Sequence, residues 1–131
     1  MPARRKPSKL PEAIFSSVDV LVSNRKRSAK WYTNKLGLNV IADDGHWLTV
    51  GRKGRDGVLH LCQASDFDVS IPLERRVTGI CLKLPRDFEA ACAALKGNGV
   101  EFNQPPTKKD WGWSAQIVDP DGNVIDLHSV V

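Results

Sequence analysis

The chain has 131 residues, with 19 Lys+Arg against 15 Asp+Glu for a formal net charge of +4, and it is 41% hydrophobic and 26% charged. This length and composition suit one globular domain able to bury a core. The apolar runs are only a few residues long, too short to span a membrane, and no apolar stretch near the start reads as a secretory signal. The three cysteines, Cys62, Cys81 and Cys92, show no CxxC spacing. They argue against a disulfide scaffold or a zinc knuckle and suit the reducing cytoplasm.

The charge excess is local. Residues 1–11 contain Arg4, Arg5, Lys6 and Lys9 and no acid, so they account for the whole +4. Three prolines and no periodicity make this stretch a disordered basic tail. Because the rest of the chain is neutral, we do not expect a nucleic-acid-binding fold. Residues 12–131 read as a single domain.

In chain order, residues 14–22 form a strand with Val18, Val20 and Val22 on one face and Ser17, Asp19 and Leu21 on the other. Ser23 and Asn24 are N-cap types. Ala29, Tyr32, Thr33 and Leu36 then recur at helical spacing, and Gly37 follows as a C-cap. The basic residues of this helix fill a solvated face. Strands at 38–42, 46–51 and 57–62 are separated by turn sequences. After a polar linker at 64–76 the order repeats. Residues 77–84 form a strand, and Pro85 opens a helix carrying Phe88, Ala91, Cys92 and Leu95 that ends at Gly97 or Gly99. Strands follow at 100–103, 113–118 and 123–129, with Asp119-Pro120-Asp121-Gly122 as the last turn. Each half is β-α-β-β-β, module one at 14–63 and module two at 77–129. Neither half-sheet can close a core alone.

The segments VSNRKRSAKWYTNKLGL at 22–38 and WGWSAQIVDPDGNVIDLHS at 111–129 resemble the strand-to-helix segment and the C-terminal hairpin of the vicinal oxygen chelate superfamily. That superfamily holds glyoxalase I, bleomycin-resistance proteins and extradiol dioxygenases. The resemblance implies an α+β fold of paired βαβββ modules, two half-sheets curled around a cavity, and assembly as a homodimer. It also implies four metal slots, which fall here on Ser17, His60, Gly79 and Asp126. His60 and Asp126 are competent ligands, Ser17 is a poor one and Gly79 has no side chain, whereas a tight site takes three or more protein donors. A metal-dependent Lewis-acid role is therefore unsupported. Alternation offers a displaced set one step along the same strands: Asp19, Cys62, Cys81 and His128. The plainer reading makes the thiols core residues and pairs Asp19 with Lys83 or a backbone amide.

By the same alternation Phe15, Ser17, Asp19, Val58, His60, Cys81, Lys83, Asp126 and His128 line the cavity. Trp47, Trp111 and Trp113 supply apolar walls, with Trp111 and Trp113 sharing one face of an extended segment. Trp31 and Tyr32 are packing residues, His46 is a surface histidine and Cys92 is core. His60 and Asp126 form a candidate acid–base pair on opposing strands. No nucleophile elbow, P-loop or dinucleotide fingerprint is present. The expected function is binding of a small-molecule ligand without a catalytic metal, as in the bleomycin-resistance branch. The alternative is a lyase, isomerase or dioxygenase that uses His60 and Asp126 with a divalent metal (Zn, Mn, Fe or Ni).

Overall fold

The computed structural model describes residues 11, 13, 16–52, 59–72, 74–85 and 87–130. The basic tail apart from Pro11, the start of the first predicted strand with Phe15, and Val58 lie outside them. Module one comprises β1 (Val18–Val22), α1 (Arg25–Leu36), β2 (Asn39–Asp43), β3 (Trp47–Gly51) and β4 (Leu59–Gln63). Module two comprises β5 (Arg76–Leu84), α2 (Phe88–Gly97), β6 (Glu101–Lys109), β7 (Gly112–Val118) and β8 (Asn123–Ser129). The strand orders are β1-β4-β3-β2 in sheet one and β5-β8-β7-β6 in sheet two. In each sheet the first and last strands of the module run parallel at one end, and the other pairings are antiparallel. The doubled α+β architecture expected from the sequence is present, but the two sheets do not close on each other around one cavity.

The local signals account for most boundaries. The Asn24 side chain caps α1 by accepting from Arg27 N, which satisfies one of the free amides of the first turn. Gly37 ends α1 in the left-handed conformation, as the glycine position predicted. In α2 the cap is Asp87, which accepts from Ala90 N. Pro85 stands before the cap, so it precedes the helix rather than opening it. The strand expected at 100–103 is longer in the structure. β6 continues through Pro105 and Pro106 to Lys109 because it is the outer strand of sheet two, where a missing N–H breaks no inner ladder. Of two register shifts in this pairing, the one between Gln104 and Thr107 spans both prolines. The linker also contains a 3-10 turn at Ala64–Phe67.

Among the described residues one hydrophobic cluster runs through both modules. It takes Val20, Val22, Tyr32, Leu48 and Leu61 from the first and Ile80, Phe88, Ile117, Ile125 and Leu127 from the second. The alternation of β1 holds, since Val20 and Val22 are buried while Asp19 stays exposed. Cys92 is core, as expected.

The modules are also joined through the last hairpin. Asp119 is 4% exposed. Its Oδ2 accepts from Tyr32 OH at 2.8 Å and from Asn123 Nδ2 at 2.8 Å. Its Oδ1 accepts from the backbone N–H of Asp121 at 2.8 Å and of Asn123 at 2.9 Å. Asn123 Nδ2 also donates to Leu21 O at 3.0 Å. Asp121 accepts from Ser23 N and from Arg27 Nη2, each at 3.1 Å. A carboxylate can leave water only where its lone pairs are met, and four donors meet this one.

Gly79 answers a backbone demand. Between Val77 and Cys81 the β5–β8 register shifts, and Gly79 lies there at φ 79°. A side chain at that angle strains the backbone. The metal slot that falls on Gly79 is thus a β-bulge.

Two predictions follow from this packing. Tyr32→Phe should lose about 1–3 kcal/mol of stability in urea unfolding, because it leaves a buried carboxylate short of a donor. The second concerns alkali. Burial, and then the Asp119 charge, hold the Tyr32 hydroxyl above its ordinary value of 10.0, and burial pushes the Cys62 and Cys92 thiols from 9.0 up to about 11. These groups keep their protons when folded and release them when unfolded, so their stabilisation is complete below about pH 9 and is lost as pH rises. Stability should fall between pH 9 and 11, with a Tyr32 component of about 1.4 kcal/mol per pH unit above pH 10 that is missing in Tyr32→Phe.

Candidate functional site

Parallel pairing of β1 with β4 sets Asp19 opposite His60. Asp19 Oδ1 lies 3.1 Å from His60 Nδ1 and also accepts from Ser17 Oγ at 2.9 Å. A carboxylate only accepts, so the shared hydrogen belongs to Nδ1, and in the neutral ring the lone pair is then on Nε2. On the antiparallel side, Trp47 of β3 stacks on the His60 ring, with centroids 5.6 Å apart and planes within 19°. These groups line a cleft of about 450 Å³ with Leu21, Cys62 and Phe67, a size that suits a small organic ligand. Burial pushes the Cys62 thiol up to about 11, so it is an uncharged wall. Asp19 has a side chain 63% exposed and His60 one 20% exposed, so the cleft opens to solvent at the carboxylate.

Phe67 was missed by sequence reasoning. It comes from the 3-10 turn in the linker, and a lone aromatic in a polar stretch was its only signal. His46 is exposed, as expected, with its ring tilted beside Trp47.

The remaining predicted residues gather on sheet two. Cys81 stands opposite Asp126 and Lys83 opposite His128. Cys81 Sγ is 3.1 Å from His128 Nδ1, and Trp111 packs against the His128 ring at 4.7 Å. Burial raises the Cys81 thiol above its ordinary value, with Asp126 adding to the rise and Lys83 opposing it. Asp126 accepts from Gln116 Nε2 at 2.8 Å, and Gln116 Oε1 accepts from Asn103 Nδ2 at 2.7 Å.

Three sequence expectations are corrected. His60 takes Asp19 as its carboxylate and Asp126 takes Gln116, so the His60–Asp126 pair is not formed. Asp19 pairs with His60 and Ser17 rather than with Lys83. Trp111 and Trp113 do not share a face. Trp111 sits in the turn before β7, and Gly112, at φ 142°, breaks the alternation between them. Trp113 instead stacks on Phe88 at 6.4 Å, against the core.

A divalent metal does not fit the donors that the described residues bring together. Ser17 and Gly79 leave two of the four slots without a competent ligand. The displaced set is divided, with Asp19 and Cys62 on sheet one and Cys81 and His128 on sheet two. Among the described residues no three His, Cys, Asp or Glu side chains converge, short of the usual protein donor count. Nor is any helix among the described residues long and apolar enough to cross a membrane.

Comparison with known proteins agrees with this architecture. The family model of the Glyoxalase/Bleomycin resistance protein/Dioxygenase superfamily matches residues 14–127. A solved member of that superfamily from Sphaerobacter thermophilus is similar, with TM-score 0.75 and 28% identity over 91% of this chain and 98% of that one. TnmS3, an antibiotic binding protein from Streptomyces sp. CB03234, is 31% identical with TM-score 0.70, covering 92% of this chain and 100% of that one. A glyoxalase/bleomycin resistance protein from the same organism is 33% identical with TM-score 0.65 over 84% and 95% of the two chains. No curated protein matches the chain.

The geometry of the cleft makes a spectroscopic prediction. Nitrogen-15 NMR of neutral His60 should show a protonated Nδ1 and an unprotonated Nε2. Asp19→Ala should shift the ring toward the other tautomer, and an unchanged spectrum would show that Asp19 does not orient it.

Proposed function

As the chain belongs to the Glyoxalase/Bleomycin resistance protein/Dioxygenase superfamily, we propose that it binds a planar small molecule in the sheet-one cleft, without a catalytic metal. The observation that carries this reading is the stacked Trp47–His60 pair with Asp19 behind the imidazole. It offers an aromatic surface and one oriented acceptor, Nε2, for a donor on the ligand. Leu21 and Phe67 supply apolar walls. A cleft of mostly apolar surface with a few placed polar atoms recognises a ligand by shape and one hydrogen bond. The similarity to an antibiotic binding protein makes an aromatic antibiotic the first class to try.

The same reading has the chain work as a homodimer. The cleft is open in one copy, and Val40 and Ile41 of the outer strand β2 are about half exposed, so a second copy would exclude water from both. The three free cysteines support a reducing compartment such as the cytoplasm as part of this reading.

A second reading rests on the Asp19–His60 pair, which has the form of an oriented general base. In that case the bound molecule is isomerised or cleaved by proton transfer at His60 Nε2, and sheet-two residues such as Asp126 take no direct part.

The test is a titration of intrinsic tryptophan fluorescence with a panel of planar aromatic antibiotics. A ligand should quench the signal saturably, and Trp47→Ala should weaken binding at least tenfold, about 1.4 kcal/mol. His60→Ala should weaken it less. Mass spectrometry of the ligand released by denaturation should show it unaltered, whereas a changed mass or isomer lost in His60→Ala would favour the enzyme. Saturable binding that ignores Trp47→Ala would place the site elsewhere.

A further inference from the structure

Sheet two carries a thiol–imidazole contact that the sheet-one cleft does not include. Cys81 and His128 lie on the neighbouring strands β5 and β8 with Sγ 3.1 Å from Nδ1. Of the three thiols only Cys81 is exposed, since Cys62 and Cys92 are buried. Trp111 packs on the imidazole with ring centroids 4.7 Å apart and planes tilted by 59°, yet it remains 48% exposed. Lys83 is two residues along β5 from Cys81 and opposite His128, which places it on the same face. Asp126, the neighbouring acid, is held by Gln116.

Each component has a role in one kind of reaction. A thiol becomes a strong nucleophile when a base takes its proton as the bond forms. The imidazole is in contact with the sulfur. The exposed indole offers a flat apolar surface beside it for a conjugated ligand. The lysine cation can oppose negative charge that develops on an oxygen.

We propose that Cys81 is a covalent capture site for planar α,β-unsaturated carbonyl compounds, with His128 as its base and Trp111 as its platform. Sγ attacks the β-carbon, forming a C–S bond, and the π pair of the alkene moves to give an enolate. The thiol proton passes to His128 Nδ1 and then to the α-carbon of the adduct. The product is a thioether whose mass is that of protein plus electrophile, and no oxidant or reductant is needed. None of these residues lines the sheet-one cleft, so the proposal does not depend on what that cleft binds.

The test uses the full chain with N-phenylmaleimide and N-ethylmaleimide as probes, followed by intact mass and peptide mapping, with glutathione as the reference thiol. One equivalent should label Cys81 alone, and Cys81→Ser should give no adduct. His128→Asn should slow labelling at least tenfold, in the range expected of a positioned base. The wild type should prefer the phenyl over the ethyl probe more strongly than glutathione does. Trp111→Ala, a change at an exposed turn, should abolish that excess, slowing the phenyl probe by a clearly larger factor than the ethyl probe. Labelling first at Cys62 or Cys92, an unchanged rate in a folded His128→Asn, or a probe preference equal to that of glutathione would each overturn the proposal.

Discussion

The Asp119 carboxylate is removed from water where four donors reach it, and the relation of the two modules depends on that arrangement. Two donors are backbone amides of its own turn, one is Asn123 and one is Tyr32 from the first module's helix. The turn amides fix the hairpin between β7 and β8. The Tyr32 hydroxyl ties that hairpin to α1, and Asn123 reaches back to Leu21 of β1. The last turn of the chain is therefore anchored to the first strand and helix. Hydrophobic burial drives the modules together without direction, whereas the carboxylate has a geometry to satisfy. Its donors decide how the second module is seated against the first.

With the outer faces of the sheets left open, each module builds its own polar constellation. Sheet one has His60 with Asp19 and Trp47, and sheet two has His128 with Cys81 and Trp111. The repetition follows from the shared topology, because in both halves the first strand lies parallel to the last and brings its alternate side chains beside the histidine. The partners differ: in sheet one the imidazole Nδ1 meets a carboxylate, and in sheet two it meets a thiol sulfur at 3.1 Å.

Much of the fold was legible in the sequence. The alternation of β1, the Asn24 and Gly37 caps and the turn before β8 each act through neighbours a few residues away, so they can be read locally. The motif segments at 22–38 and 111–129 were legible as family features, but what joins them was not. Tyr32 reads as an ordinary apolar position on a helix face, and Asp119 as an ordinary turn acid. Only the packed chain shows that one donates to the other. The elements that escaped sequence reasoning were those set by tertiary position. β6 runs through two prolines because it is an outer strand, and Phe67 reaches the cleft from a linker that looked merely polar.

For the site, the sequence by itself determined which residues share a face of each strand. Alternation assigned Ser17, Asp19, His60, Cys81, Lys83, Asp126 and His128 to one cavity, whereas the structure divides them between two sheets that do not close on each other. With the four metal slots that the family resemblance implies, residue identity alone decided that Ser17 is a poor ligand and that Gly79 has no side chain to offer. Tertiary structure decided the partners. Alternation says that Asp19 and His60 point the same way, but the parallel β1–β4 register makes them neighbours, and the division into two sheets parts His60 from Asp126. The glycines at 79 and 112 interrupt alternation through backbone angles no periodicity reveals. Pairing depends on register and sheet order, and these are settled only when the whole core has been buried.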